Sequence, residues 1–188
     1  MTSTNPTPTT PPGPGGLPSP EDRPGISLLV AAGGTGGHVF PGLALARTIV
    51  QHDPEAAVRF AGTTRGIETT AVPEAGFALE LLPILPLSRR LSAETLKAPF
   101  AAVGGTFAAR RLLREHRFDV VCGMGGYVTL PVALAARMEG VPVVLHEQNA
   151  VPGIANRLAA RVASRIGVGV DAAAGAFPPG RTTVVGNP

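Results

Sequence analysis

Short apolar runs of strand length recur from Ile26 to the end of the chain, each cut off by glycine or a polar cluster and followed by a stretch of helical length. Strands apolar along both faces must be covered on both sides, and the helix-length stretches supply the cover. The strands therefore run parallel in an open sheet. The runs are Ile26–Ala32, Ala57–Ala61, Phe77–Ile84, Phe118–Cys122 and Val141–His146, then Arg165–Val170 and Thr182–Val185. Helices are expected over Pro41–His52, with Leu43, Leu45, Ala46 and Ile49 on the packing side, over Ile67–Ala75 ending at Gly76, over Leu130–Glu139 ending at Gly140, and over Ile154–Ala163. Leu91–His116 has a helical pattern, with a break expected near Pro99 and Gly104–Gly105. The expected fold class is α/β, a Rossmann-like open parallel sheet with helices on both faces. Its expected strand order is 3-2-1-4-5, with the later strands beyond.

Residues 1–24 break this pattern. They are Thr, Pro, Gly and Ser without apolar periodicity, which predicts a disordered tail. That tail lacks the basic start and apolar core of a signal peptide. One domain is expected over 25–186. No run is long and apolar enough to span a membrane: the nearest, Val120–Ala136, is interrupted by Gly123, Gly125, Gly126 and Pro131. Cys122 is the only cysteine, so there is no disulfide framework, which fits a reducing cytoplasm. The four histidines do not cluster at metal-ligand spacing; no metal and no cofactor are expected.

Charge is concentrated. Between Pro86 and Arg117 stand seven basic residues (Arg89, Arg90, Lys97, Arg110, Arg111, Arg114, Arg117) against Glu94 and Glu115, a local +5 that exceeds the +3 of the chain. A phosphate-bearing partner is expected. Nucleic acid is not, because aromatic and basic residues do not interleave repeatedly. Leu91, Leu96, Phe100, Val103 and Phe107 lie among these charges, which suits either peripheral docking on an anionic membrane surface or ordinary packing beneath a solvated basic face.

Three loops carry the chemistry: Gly33-Gly34-Thr35-Gly36-Gly37-His38, Gly123-Met124-Gly125-Gly126-Tyr127 and His146-Glu147-Gln148-Asn149. They follow strands one, four and five. In the order 3-2-1-4-5 they meet at the topological switch point, where open α/β sheets bind ligands. Glycine lets a bare backbone aim N–H groups at oxyanions, and two such loops side by side suit a diphosphate. A single loop could equally be a tight turn. A dinucleotide fingerprint fails, since its third glycine would fall at Val39 and no acid follows Ala61-Gly62-Thr63; the P-loop's Gly-Lys-Ser/Thr is missing too. Beside the first loop, His38 is a candidate general base or hydrogen-bond donor to a phosphate rather than a helix-start residue. Glu147 either has a catalytic role or orients its loop. Asn149 either reads hydroxyls or caps a turn, and Tyr127 could be simple packing.

Ala32-Gly33-Gly34-Thr35-Gly36-Gly37-His38-Val39-Phe40-Pro41-Gly42-Leu43-Ala44 resembles the first signature of the MurG family. Gly123-Met124-Gly125-Gly126-Tyr127-Val128 is similar to the second, and Pro142-Val143-Val144-Leu145-His146-Glu147-Gln148-Asn149 to the third. Val184-Val185-Gly186-Asn187-Pro188 resembles the family's crossover into a C-terminal domain, so residues 187–188 would begin that crossover. Leu87-Ser88-Arg89-Arg90 departs from the family's glycine-containing loop.

The resemblance implies the N-terminal, acceptor-side half of a GT-B glycosyltransferase. It implies inverting transfer of N-acetylglucosamine from UDP-N-acetylglucosamine to undecaprenyl-diphosphoryl-N-acetylmuramyl-pentapeptide in peptidoglycan synthesis, at the cytoplasmic face of the cell membrane as a peripheral protein. Carried over by position, Thr35, Gly36, Gly37 and Asn149 match donor contacts. The loops with Gly33, Gly34, Gly125, Gly126 and Tyr127 match the acceptor diphosphate site, and His38 and Glu147 match residues near the acceptor hydroxyl. A C-terminal donor domain would have to supply the other half, so the chain alone is expected to be inactive. The alternatives are a non-catalytic polyprenyl-diphosphate-binding module and one subunit of a split two-chain transferase.

Overall fold

The structure is a computed structural model. It describes residues 25–84 and 93–188, and over 93–102 the backbone alone. The tail expected over 1–24 and the segment Leu87–Arg90 lie outside the described residues. Seven strands, β1 (Ser27–Ala32), β2 (Ala57–Gly62), β3 (Ala78–Leu81), β4 (Val120–Gly125), β5 (Val143–Glu147), β6 (Arg165–Val168) and β7 (Thr182–Val184), form one sheet in the order β3-β2-β1-β4-β5-β6-β7. Every pairing is parallel. The direction of winding reverses between β1 and β4, as the loop pattern predicts.

The helices are α1 (Gly36–His52), α2 (Glu68–Glu74), α3 (Ala93–His116), α4 (Thr129–Glu139) and α5 (Ile154–Ala159). Alternate residues of β1 enter opposite cores, so all six are buried. Leu28 and Val30 join Val39, Leu43 and Ala46 of α1, Val72 of α2 and Met124 of β4. Leu29 and Ala31 join Leu112 and Leu113 of α3, Val132 and Ala136 of α4, and Ala159 of α5. Truncating a side chain as enclosed as Leu29 to Ala would cost about 2–5 kcal/mol.

Three boundaries differ from the sequence pattern. Helix α1 starts at Gly36 rather than Pro41, because the Thr35 carbonyl accepts the His38 and Val39 N–H groups at 3.1 and 3.2 Å. Pro41 therefore lies inside the helix and leaves the Gly37 carbonyl without its i+4 donor. Strand β4 runs on to Gly125, with a register shift against β1 between Ala31 and Ala32. Gly123, Met124 and Gly125 are thus strand, and the second loop shrinks to Gly126–Val128. Finally, α3 is unbroken through Pro99, Gly104 and Gly105. Gly105 serves close packing instead: a Cβ there would overlap Ile84.

Candidate functional site

The loops after β1, β4 and β5 meet at the carboxyl edge of the sheet, joined by a fourth after β2. Their glycines mostly make room for protein atoms. A Cβ on Gly33 would stand 2.9 Å from Val128 Cγ2 and 3.0 Å from Glu68 Oε1, and one on Gly34 would stand 3.0 Å from the Tyr127 ring. On Gly36 it would meet Phe40 at 2.8 Å, and on Gly125 the His38 ring at 2.6 Å. A Cβ on Gly126 would overlap the Gly33 carbonyl oxygen. Gly34, Gly125 and Gly126 also hold φ of 90°, 104° and 79°, which L side chains rarely adopt. The first and second loops are therefore interlocked. Gly37 differs, since its nearest neighbour would be Thr35 Oγ1 at 3.8 Å.

His38 stands in the first turn of α1, half-buried, with Nδ1 3.1 Å from Thr35 Oγ1. Burial lowers its pKa from the ordinary 6.5, opposed by the charge of Glu147 and by the nearby Gly33 backbone. A lowered pKa favours the neutral ring, which can accept a proton, and disfavours a cationic phosphate ligand.

Glu147 ends β5 almost fully buried. Its Oε1 accepts the Asn149 N–H at 3.0 Å and the Asn149 side-chain amide at 2.9 Å. Its Oε2 accepts the Gly153 N–H at 3.3 Å and the Asn156 amide at 3.0 Å. Four donors saturate this carboxylate. Of its two candidate roles, the geometry supports orienting the third loop, while its charge still reaches His38. His146 points elsewhere, with Nε2 3.0 Å from the Gly186 carbonyl, tying β5 to the segment after β7. Buried without partners are His146 Nδ1, Asn156 Oδ1 and both amide atoms of Gln148, so unused hydrogen-bonding capacity gathers at this loop.

Glu68 has no counterpart among the sequence candidates. Fully buried at the start of α2, its Oε2 accepts the Gly34 N–H at 2.9 Å and its Oε1 the Thr63 N–H at 3.2 Å. The Thr63 hydroxyl lies 3.2 Å from Glu68 Oε1 and 2.9 Å from the Tyr127 hydroxyl, which donates to the Arg65 carbonyl at 2.9 Å. Tyr127 is thus a strut between the second and fourth loops. The only sequence signal was the spacing of Gly62, Gly66 and Glu68, and it shows its meaning only with Gly34 in place.

The Gly34 N–H serves Glu68, while the first N–H groups of α1, on Gly36 and Gly37, have no partner within the helix and can meet an anion. Among the described residues, no group of three or more His, Cys, Asp or Glu is placed to hold a metal ion. Burial pushes the Cys122 thiol up to about 12, far from thiolate chemistry.

Residues 28–168 match the profile of the glycosyltransferase family 28 N-terminal domain. The chain is 49% identical over 162 residues to the UDP-N-acetylglucosamine--N-acetylmuramyl-(pentapeptide) pyrophosphoryl-undecaprenol N-acetylglucosamine transferase of Ectopseudomonas mendocina, covering 86% of this chain and 44% of that protein. It is 45% identical over 163 residues to the protein of the same name from Pelobacter propionicus, covering 87% and 43%. Among solved structures it is similar to Acinetobacter baumannii MurG, with a TM-score of 0.72 and 35% identity over 88% of this chain and 46% of that one. The chain thus spans less than half the length of these relatives. The seven-stranded parallel sheet, the three loops at its switch point and the matched residues agree: the chain belongs to glycosyltransferase family 28, through that family's N-terminal domain.

Proposed function

We propose that this chain is the acceptor-side half of an inverting N-acetylglucosaminyltransferase. The complete enzyme would move N-acetylglucosamine from UDP-N-acetylglucosamine to undecaprenyl-diphosphoryl-N-acetylmuramyl-pentapeptide, with a C-terminal domain holding most of the donor. The observation that carries this reading is the position of the His38 imidazole, half-buried where both glycine loops meet with its pKa lowered by burial, in a chain so similar to such transferases. His38 takes the proton from the attacking acceptor hydroxyl as the glycosidic bond forms and UDP leaves. The Gly36 and Gly37 N–H groups and Thr35 face the donor, and Asn149, bound to Glu147, offers its remaining amide oxygen to a hydroxyl. Gly33, Gly34, Gly125, Gly126 and Tyr127 shape the acceptor-diphosphate side as a rigid, interlocked wall.

The same half docks on the membrane. Val103 and Phe107 of α3 and Leu130, Leu134 and Met138 of α4 line an apolar groove of about 380 Å³. Among the described residues its rim is less basic than the sequence suggested: Arg110 and Arg114 both pair with Glu139, and Arg111 pairs with Glu115. Arg89, Arg90, the Lys97 side chain and the side chains of Leu91, Leu96 and Phe100 lie outside the described residues. Arg137 has no ion pair among the described residues, so attachment to an anionic surface rests on apolar insertion with a small cationic share.

The test joins the 188-residue chain to the C-terminal half of a relative and follows sugar transfer to a soluble lipid-linked acceptor. Transfer that disappears in His38→Ala supports the proposal. Binding of polyprenyl diphosphate without any transfer would establish the binding-module alternative instead.

A further inference from the structure

We propose that Thr129 is a positioning residue for His38, acting through Gly125. The inference rests on His38 being the proton acceptor of the proposed function. Strands β1 and β4 run in step as far as Ala31 and Gly123; Ala32 then pairs with Gly125, and Met124 stands opposite no residue of β1. Such a bulge interrupts the hydrogen-bond ladder and re-aims the chain beyond it. Backbone groups stranded here would be costly, because Ala31, Met124 and Gly125 are all buried.

The hydroxyl of Thr129, a residue only 1% exposed, takes up these groups. Its Oγ1 accepts the Gly125 N–H at 3.0 Å. Its proton is shared between the Gly125 carbonyl at 2.8 Å and the Ala31 carbonyl at 3.2 Å. One hydroxyl thus ties the ends of β1 and β4 to the start of α4. Gly123 makes room for it: a Cβ there would stand 2.6 Å from Thr129 Cγ2. A glycine inside a strand weakens it, and at Gly123 the space left free is filled by the Thr129 methyl group.

Gly125 in turn is the wall against which the His38 ring rests. A Cβ on Gly125 would fall 2.6 Å from His38 Cδ2 and 2.9 Å from Nε2, so the ring fills the side-chain space of this glycine. At the opposite edge of the ring, Nδ1 lies 3.1 Å from Thr35 Oγ1. The imidazole is therefore set between the loop that follows β1 and the residue that ends β4, and Thr129 bonds to both strand ends. Without the hydroxyl, the N–H and C=O of Gly125 must turn toward other partners, and the wall beside Nε2 moves with them. A misplacement of about 1 Å at a reacting group can cost roughly 10²-fold in rate.

The test begins with NMR on the 188-residue chain. In the wild type, cross-relaxation between the His38 ring Hδ2 and a Gly125 Hα is expected, together with slow solvent exchange of the Gly125 amide. A ring without that contact, or a fast-exchanging Gly125 amide, overturns the proposal without any variant. Thr129→Val keeps the shape of the side chain and removes the hydroxyl; it should shift the His38 ring signals and weaken the contact. Thr129→Ser keeps the hydroxyl and should leave both unchanged, even if both variants melt earlier. Should Thr129→Val fail to fold, the wild-type contact and amide exchange still decide. In the enzyme completed with a relative's C-terminal half, Thr129→Val should lower kcat about tenfold or more with donor KM nearly unchanged, while Thr129→Ser retains most of the rate. Phe177→Leu, buried in the segment between β6 and β7, controls for stability. An equal fall in kcat in that variant, at a matched melting temperature, would reduce Thr129 to a structural role. The loss in Thr129→Val should vanish in a His38→Ala background, and additive losses would overturn the link between the two residues. No transfer by the wild-type assembly would refute the proposed function while leaving the NMR outcome intact.

Discussion

At the β1–β4 crevice two buried carboxylates, Glu68 and Glu147, are held by donors from their neighbouring loops, whereas on the α3–α4 face Val103, Phe107, Leu134 and Met138 stay 39% to 58% exposed. The first region has spent its two carboxylates on fixing its own shape. The second has kept apolar area uncovered and used its ion pairs, Arg110 and Arg114 with Glu139, to lock two helices together. A site that positions a proton acceptor needs rigidity at the scale of a hydrogen bond. A surface that meets lipid needs only area and a tolerant rim. Substitutions should therefore act sharply in the crevice and gradually on the groove.

The largest expected effect is at His38. In the completed enzyme His38→Ala should lower turnover by ~10²–10⁴-fold, with much less change in donor binding. The pH profile gives a second handle. The neutral ring is the active form, so rate is retained above its pKa and lost as pH falls through it. Because burial lowers that pKa, the acid limb should lie below the ordinary 6.5, and removing the Glu147 charge should move it lower still. A limb above 6.5 would assign the base to another group.

Next comes the interlock. Gly126→Val places a side chain on the Gly33 carbonyl at a φ of 79° and should cost about 2–4 kcal/mol, read as a melting temperature lower by roughly 5–15 °C. For the same reason Gly125→Val is a poor probe of anion binding: its Cβ would fall 2.6 Å from the His38 ring and disturb the fold first. On the groove, Phe107→Glu with Leu134→Glu should weaken binding to anionic vesicles about tenfold or more at unchanged melting temperature. Salt should weaken the wild type only modestly, since three of the α3 arginines are already paired. Full release by salt would make charge, rather than apolar insertion, the main attraction.

Much of this contrast was legible in the sequence, for physical reasons that differ by region. The sheet order followed from apolar runs ending in glycine loops, because a strand buried on both faces leaves a continuous signal. His38 stood out because it adjoins such a loop. Glu68 did not, since its partner Gly34 lies 34 positions away and a lone acid in a short helix looks like a solvated charge. The basic run in α3 misled in the other direction: composition counts charges but not that Glu139 of α4 takes two of them. The expected break at Gly104–Gly105 failed because Gly105 is small to admit Ile84, a contact made outside the helix.

The smallest expected effect separates the two uses of glycine within one loop. Gly33, Gly34, Gly125 and Gly126 are each required by a protein neighbour, and replacing any of them confuses folding with binding. Gly37 is exposed, helical and free of close neighbours, so packing does not explain its missing side chain. An alanine there gains helix propensity and should stabilise the chain by about 0.5 kcal/mol, or roughly 1–2 °C. If the Gly37 N–H faces the donor at close range, that methyl group stands in the ligand's path. Gly37→Ala should then raise the melting temperature slightly while weakening binding of UDP-N-acetylglucosamine by the completed enzyme severalfold, measured by calorimetry. A variant that is more stable and binds as well as the wild type would move the donor away from the start of α1. A less stable variant would mean that Gly37 has a packing role in the folded chain after all.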